Sequence, residues 1–210
     1  MPAWRFVASS AALAVGAVAF AQVTPSAPSW YEEDGINAVR MVWSYTGTGQ
    51  TTGNWTFDLT PGTPGADNPV LHPGRNIEVT ARTDGGIDLL IQIPNWIDNE
   101  PRKDFEIFLE TDSLEPPPTG SIQPWYPALI TPGTTPLVFN EEMGPPLGFR
   151  ASGVIAPNPI FEEIRLTLLP GPVPGELNVH RIWVWTQSVP APGALVTCVL
   201  GGVLAARRRR

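Results

Sequence analysis

Apolar and polar residues alternate with a period of two along much of the chain. From Arg75 to Arg82, Ile77, Val79 and Ala81 fall on one side and Asn76, Glu78, Thr80 and Arg82 on the other, the pattern of a strand with one buried face. Gly85-Gly86 makes a turn into Ile87 to Ile93, where Ile87, Leu89, Ile91 and Ile93 share a face, so the two segments are expected to pair as a hairpin. The same reasoning predicts strands at Val39 to Tyr45, Trp55 to Leu59, Phe105 to Thr111, Gly148 to Ile155, Ile164 to Leu169 and Leu177 to Gln187. The 25 Pro and 20 Gly fall mostly between these runs, where a fixed φ and a missing N–H break helices and mark loops or edge strands. The expected fold is all-β, an antiparallel β-sandwich of jelly-roll-like type. The long irregular stretch Ser113 to Pro136 carries Ile122, Trp125, Tyr126, Leu129 and Ile130, which mark it as a loop packed over one sheet with at most a short edge strand.

Two apolar segments break the alternation, one at each end. Near the N-terminus, Arg5 precedes the apolar run Phe6 to Phe20, and Ala19-Phe20-Ala21 matches the small-x-small pattern that signal peptidase cuts, so the mature chain is expected to begin at Gln22. At the other end, Val189 to Arg210 reads as a Pro-bounded turn, an uncharged run from Ala191 to Ala206, and four arginines, Arg207, Arg208, Arg209 and Arg210. Arginines resist entry into hydrocarbon, which keeps them on the cytoplasmic side as a stop-transfer block. The run is 16 residues long, a little short of the ~17 to 25 of a permanent transmembrane helix, which suits a transient anchor. The organisation read from this is a signal helix over 1–21, one β-sandwich domain over 22–188 and a tail segment over 189–210.

Val189-Pro190-Ala191-Pro192-Gly193, followed by a short apolar helix and an arginine cluster, resembles the PEP-CTERM sorting domain; Ala191 stands where that family usually has Glu. The resemblance implies handling by an exosortase-type sorting enzyme and delivery to the cell surface or extracellular space, with membrane attachment only through the tail before processing. The segment Pro94 to Asp104, reading PNWIDNEPRKD, is similar to a loop that joins two strands in an uncharacterised group of exported PEP-CTERM proteins. That likeness spans Gly85 to the C-terminus and implies a domain type, with no activity attached.

Composition sharpens the picture. Of 13 Lys and Arg, Arg5 and the four terminal arginines lie in the end segments, which leaves eight basic against 20 acidic residues, a formal charge of −12. Such a domain repels phosphate backbones and anionic lipid, which argues against nucleic-acid binding. The single cysteine, Cys198, lies in the tail, so the domain has no disulfide to help it in an oxidising compartment.

Candidate chemistry is sparse. His72 and His180 are the only histidines and no Gly-x-Ser-x-Gly elbow occurs, so neither a zinc centre nor a hydrolytic triad is indicated, and no catalytic residue is assigned. The acidic pairs Glu32-Glu33-Asp34, Glu141-Glu142 and Glu162-Glu163 fit solvated turns, or strands on which neighbours face opposite ways. Within Pro94 to Asp104, the oxygens of Asp98, Asn99, Glu100 and Asp104 make a candidate structural calcium site; the competing reading is a turn held by Asp and Asn bonding to nearby backbone.

On the last strand, Trp183 and Trp185 lie on one face with Arg181, and Ile182 and Val184 on the other. If the aliphatic face is the core, the two indoles form an exposed platform on which a sugar ring stacks, with Arg181 beside it. If the strand is central, they are core. The function expected is that of an exported, non-catalytic surface or matrix protein associated with exopolysaccharide. A carbohydrate-binding module with an exposed Trp face is the first alternative, and an extracellular glycan-active enzyme, which requires carboxylates converging on a cleft, is the second.

Overall fold

The structure, a computed structural model, describes residues 24–45, 55–65, 70–72, 77–98, 100–111, 113–114, 117–126, 133–144, 146–170 and 179–190. The signal segment with Ala19, Ala21 and Gln22, and the tail with Ala191, Pro192, Gly193 and the four arginines, lie outside these residues, as does Asn99. Among the described residues no helix is long and apolar enough to cross a membrane.

The described chain is all-β. Its strands are β1 (Ala38–Tyr45), β2 (Trp55–Pro61), β3 (Val70–His72), β4 (Ile77–Ala81), β5 (Ile87–Ile93), β6 (Asn95–Ile97), β7 (Arg102–Thr111), β8 (Thr119–Trp125), β9 (Thr135–Leu137), β10 (Asn140–Glu142), β11 (Gly148–Ile155), β12 (Phe161–Leu168) and β13 (Val179–Val189). They form a six-stranded sheet in the order β10-β11-β7-β13-β1-β2, a five-stranded sheet in the order β4-β5-β12-β8-β9, and a small pair of β3 with β6. Every pairing of named strands is antiparallel. The two large sheets stack as a sandwich.

The core between them comes from the inward side of each alternation. β5 contributes Ile87, Leu89, Ile91 and Ile93, β12 Ile164, Leu166 and Leu168, and these meet Met41, Trp43, Ile107, Leu109, Phe149, Ile182 and Val184 of the opposite sheet. The β4–β5 hairpin forms as expected, with Val79 opposite Leu89.

The stretch taken as a loop departs from expectation. Thr119–Trp125 is a strand inside the five-stranded sheet, between β12 and β9, and Ile122 is fully enclosed. Gly120 and Pro124 obscure it in the sequence. β9 covers only Gly120, Ser121 and Ile122, so Pro124 lies where the strand has a single neighbour, a position at which a missing N–H is tolerated.

The central strands of the six-stranded sheet are buried on both faces. On its outer side Ala38, Val42, Phe108, Trp183 and Trp185 form a second apolar layer with Tyr31, and Trp30 packs against it. The N-terminal segment is fastened there: the Arg150 guanidinium lies 5.0 Å over the Phe108 ring, donates to the Ser26 carbonyl at 3.3 Å, and pairs with Glu106 and Glu142. Trp183 and Trp185 stack with centroids 5.9 Å apart, and Trp185 is 1% exposed. The exposed indole platform is therefore ruled out for this pair. β13 is a central strand, flanked by β1 and β7, and both of its faces are core.

Candidate functional site

The outer face of the five-stranded sheet is organised by register. Because Glu162, Ile164, Leu166 and Leu168 point into the sandwich, Phe161, Glu163, Arg165 and Thr167 point out. Each heads a row across the strands. Phe161 lies opposite Trp125; Glu163 opposite Gln123 and Gln92; Arg165 opposite Ser121 and Leu90; and Thr167 opposite Thr119 and Asp88. The last two rows continue onto β4 as Glu78 and Thr80. A groove of about 600 Å³ runs over them.

At one end of this face stands a line of aromatic rings. His72 of β3 stacks on Phe161 at 4.8 Å, and Phe161 on Trp125 at 5.7 Å, with interplanar angles of 14° and 13°. Trp125, at the end of the line, is 36% exposed. An indole that is fixed on one side and open on the other presents a flat apolar surface with an N–H at its edge.

The polar rows hold one another in place. Gln92 Nε2 donates to Glu163 Oε1 at 3.3 Å, Arg165 pairs with Glu163 at 3.6 Å, and Thr167 Oγ1 donates to Asp88 Oδ1 at 2.7 Å. Arg82 bridges Asp84 and Asp88, and its hydrogen bond holds the Asp84 carboxyl below the usual carboxylate range. The result is a lattice of hydroxyls, carboxylates, amides and guanidiniums at strand spacing, suited to a ligand with many hydroxyls. Among the described residues, the two carboxyls raised above their usual range by burial, Glu106 and Glu162, are enclosed elsewhere and do not open onto this groove. Glu162 and Glu163 point to opposite faces, as neighbours on a strand must.

The turn Pro94 to Asp104 serves a different end. Asp98 accepts from Asn37 Nδ2 at 2.7 Å, from Asn158 Nδ2 at 2.6 Å and from the Glu100 backbone N–H at 2.9 Å. Asn158 also donates to Ser188 Oγ at 3.2 Å, and Trp96 Nε1 donates to the Ala38 carbonyl at 3.1 Å. These bonds tie β6, the β11–β12 connection, β13 and the start of β1 together at one end of the sandwich. Asp104 pairs with Arg102 at 3.5 Å. Among the described residues no group of three or more His, Cys, Asp or Glu side chains is placed to hold a metal ion. Three N–H donors converge on Asp98 at the candidate calcium position, the arrangement of the competing reading, a turn held by Asp and Asn.

Arg181 lies on the outer side of the six-stranded sheet, 3.4 Å from Glu110 Oε2, with Trp183 buried beside it. Of the two readings open for Trp183 and Trp185, the structure takes that of a central strand with both faces core. Trp125 is the tryptophan at an outward position, two residues beyond Gln123, and its place became readable only once Thr119–Trp125 was a strand.

No family model matches the chain, and neither a curated protein nor a solved structure matches it.

Proposed function

We propose that this is an exported, non-catalytic surface or matrix protein that associates with polysaccharide through the outer face of its five-stranded sheet. The observation that carries the reading is the stack His72–Phe161–Trp125, whose exposed end ring lies on the same face as the Gln123–Glu163–Gln92 row and, beyond it, a groove lined by hydroxyl, carboxylate and guanidinium side chains. A sugar ring stacks its C–H face on an indole while its hydroxyls exchange hydrogen bonds with such a lattice. In this reading signal peptidase removes residues 1–21. The tail holds the chain in the membrane until an exosortase-type enzyme acts near Pro190, and a jelly-roll-like sandwich is released to the surface. β13 ends at Val189, the first residue of the sorting motif, so a tether at that point pulls on a central strand held by neighbours on both sides.

Affinity electrophoresis through exopolysaccharide from the producing cells tests the binding. Trp125→Ala is expected to abolish retardation while leaving unfolding unchanged; equal retardation of the variant and its parent refutes the proposed face. Intact mass and cell fractionation, with and without the sorting peptidase, test delivery: a tail that stays uncut in the membrane refutes it.

A further inference from the structure

At the end of the core nearest the Pro94–Asp104 turn, one lysine and one glutamate face each other from opposite sheets. Lys103 is on the inward side of β7, in step with Phe105, Ile107 and Leu109; Glu162 is on the inward side of β12, in step with Ile164 and Leu166. Lys103 and Glu162 are each 0% exposed, and Nζ lies 2.7 Å from Oε1. Beyond this mutual contact, Nζ and both carboxylate oxygens have no hydrogen-bond partner on another residue among the described residues. A fully desolvated ion pair with unfilled hydrogen-bonding capacity is costly and contributes little stability. The arrangement suits two groups that react.

We propose that Lys103 and Glu162 are joined by an intramolecular amide bond that cross-links the two sheets. The lone pair of the neutral amine adds to Glu162 Cδ of the protonated carboxyl. The C–N bond forms, the C–OH bond breaks, one amine proton leaves with the hydroxyl, and one water is released. No oxidant or other co-reactant is needed. Burial pushes the Lys103 ammonium down and the Glu162 carboxyl up, which favours the neutral forms this step requires. Fixing amine and acyl group in contact inside a dry site supplies the proximity that makes such condensations effective. The product is a neutral amide in place of two buried charges. Water has an exit close by: a groove of about 530 Å³ is lined by Pro124 and Ile155, the register partners of Glu162 and Lys103.

The test is mass spectrometry of the protein purified from its producing cells, denatured and digested with trypsin. Expected is a branched peptide in which the segment carrying Lys103 is attached to the segment carrying Glu162, lighter by one water than the two together. In a Lys103→Arg variant the intact mass should rise by the substitution plus one water, because a guanidinium does not form the bond. Two separate linear peptides of unaltered mass overturn the proposal. So does a branch from Lys103 to Asn95, a buried amide on β6, which would show as loss of ammonia.

Discussion

Asn158 Nδ2 stands 2.6 Å from Asp98 Oδ1, and this bond links the β11–β12 connection to the turn that follows β6. With Asn37 on the other carboxylate oxygen, Asp98 gathers three chain segments far apart in sequence. Asp98→Ala should leave those amides without an acceptor and cost roughly 3 kcal/mol, and Asp98→Asn should cost less because one acceptor oxygen survives. Urea unfolding measures both. The same site predicts that added calcium or a chelator leaves the melting temperature unchanged; a calcium-dependent rise would show that the carboxylate serves a cation instead.

How far the sequence could be read is clear from particular strands. The β4–β5 hairpin was legible because one face of each strand is apolar and the other polar. β13 was harder: Trp183 and Trp185 alternate with Ile182 and Val184, so both faces are apolar, which is itself the mark of a central strand. What hid their fate was the N-terminal segment around Trp30 and Tyr31, whose return over the outer sheet no local pattern encodes. β7 was expected to begin at Phe105 because Arg102-Lys103 reads as a turn, yet the spacing from Lys103 to Phe105, Ile107 and Leu109 already placed the lysine inward. The rows on the outer face of the five-stranded sheet were the least legible part, since they exist only when β12 aligns β5 with β8.

Burial separates the tryptophans into two kinds. Trp185→Ala opens a large void in the outer apolar layer and should destabilise by about 3 to 5 kcal/mol. Trp125→Ala, at the exposed end of its stack, should stay within about 0.5 kcal/mol of the parent. Denaturant midpoints decide the matter, and equal losses would contradict the assignment of Trp125 to a surface and Trp185 to a core.

Gly148 opens β11 where it crosses Phe108 and Leu109. A Cβ there would meet the Leu109 carbonyl oxygen at 2.3 Å and the Phe108 ring at 2.5 Å. Backbone cannot swing aside as a flexible side chain can, so Gly148→Ala should cost about 1 to 3 kcal/mol, read from thermal unfolding.

The Tyr31 hydroxyl is pushed up to about 12 by desolvation, with a lowering by Arg40 and smaller raising effects of Glu33 and Asp34. The folded state therefore keeps a proton that the unfolded chain loses near its ordinary value of 10.0. The associated stability is fully present below pH 10 and is lost as pH rises towards 12, by about 2 kcal/mol in all. Tyr31→Phe should remove that alkaline loss. At neutral pH it should be neutral or stabilising by about 1 kcal/mol, because the buried hydroxyl has no hydrogen-bond partner among the described residues. Stability measured from pH 8 to 12 in parent and variant checks the sign.

The Lys103–Glu162 pair makes the sharpest demand on stability. Glu162→Ala leaves an amine enclosed with nothing to compensate it, and the loss should reach about 3 to 5 kcal/mol or more. Were the two side chains unlinked, replacing both, as Lys103→Met with Glu162→Leu, would remove the two polar groups together and fill their space, and most of that loss would return. If the side chains are joined, the double variant also lacks a link that closes the long loop between β7 and β12. It should then remain below the parent by about 2 to 4 kcal/mol, the contribution of a comparable covalent cross-link. A double variant as stable as the parent would count against the amide, while a single variant that unfolds no more easily than the parent would mean that Lys103 finds another partner when Glu162 is gone.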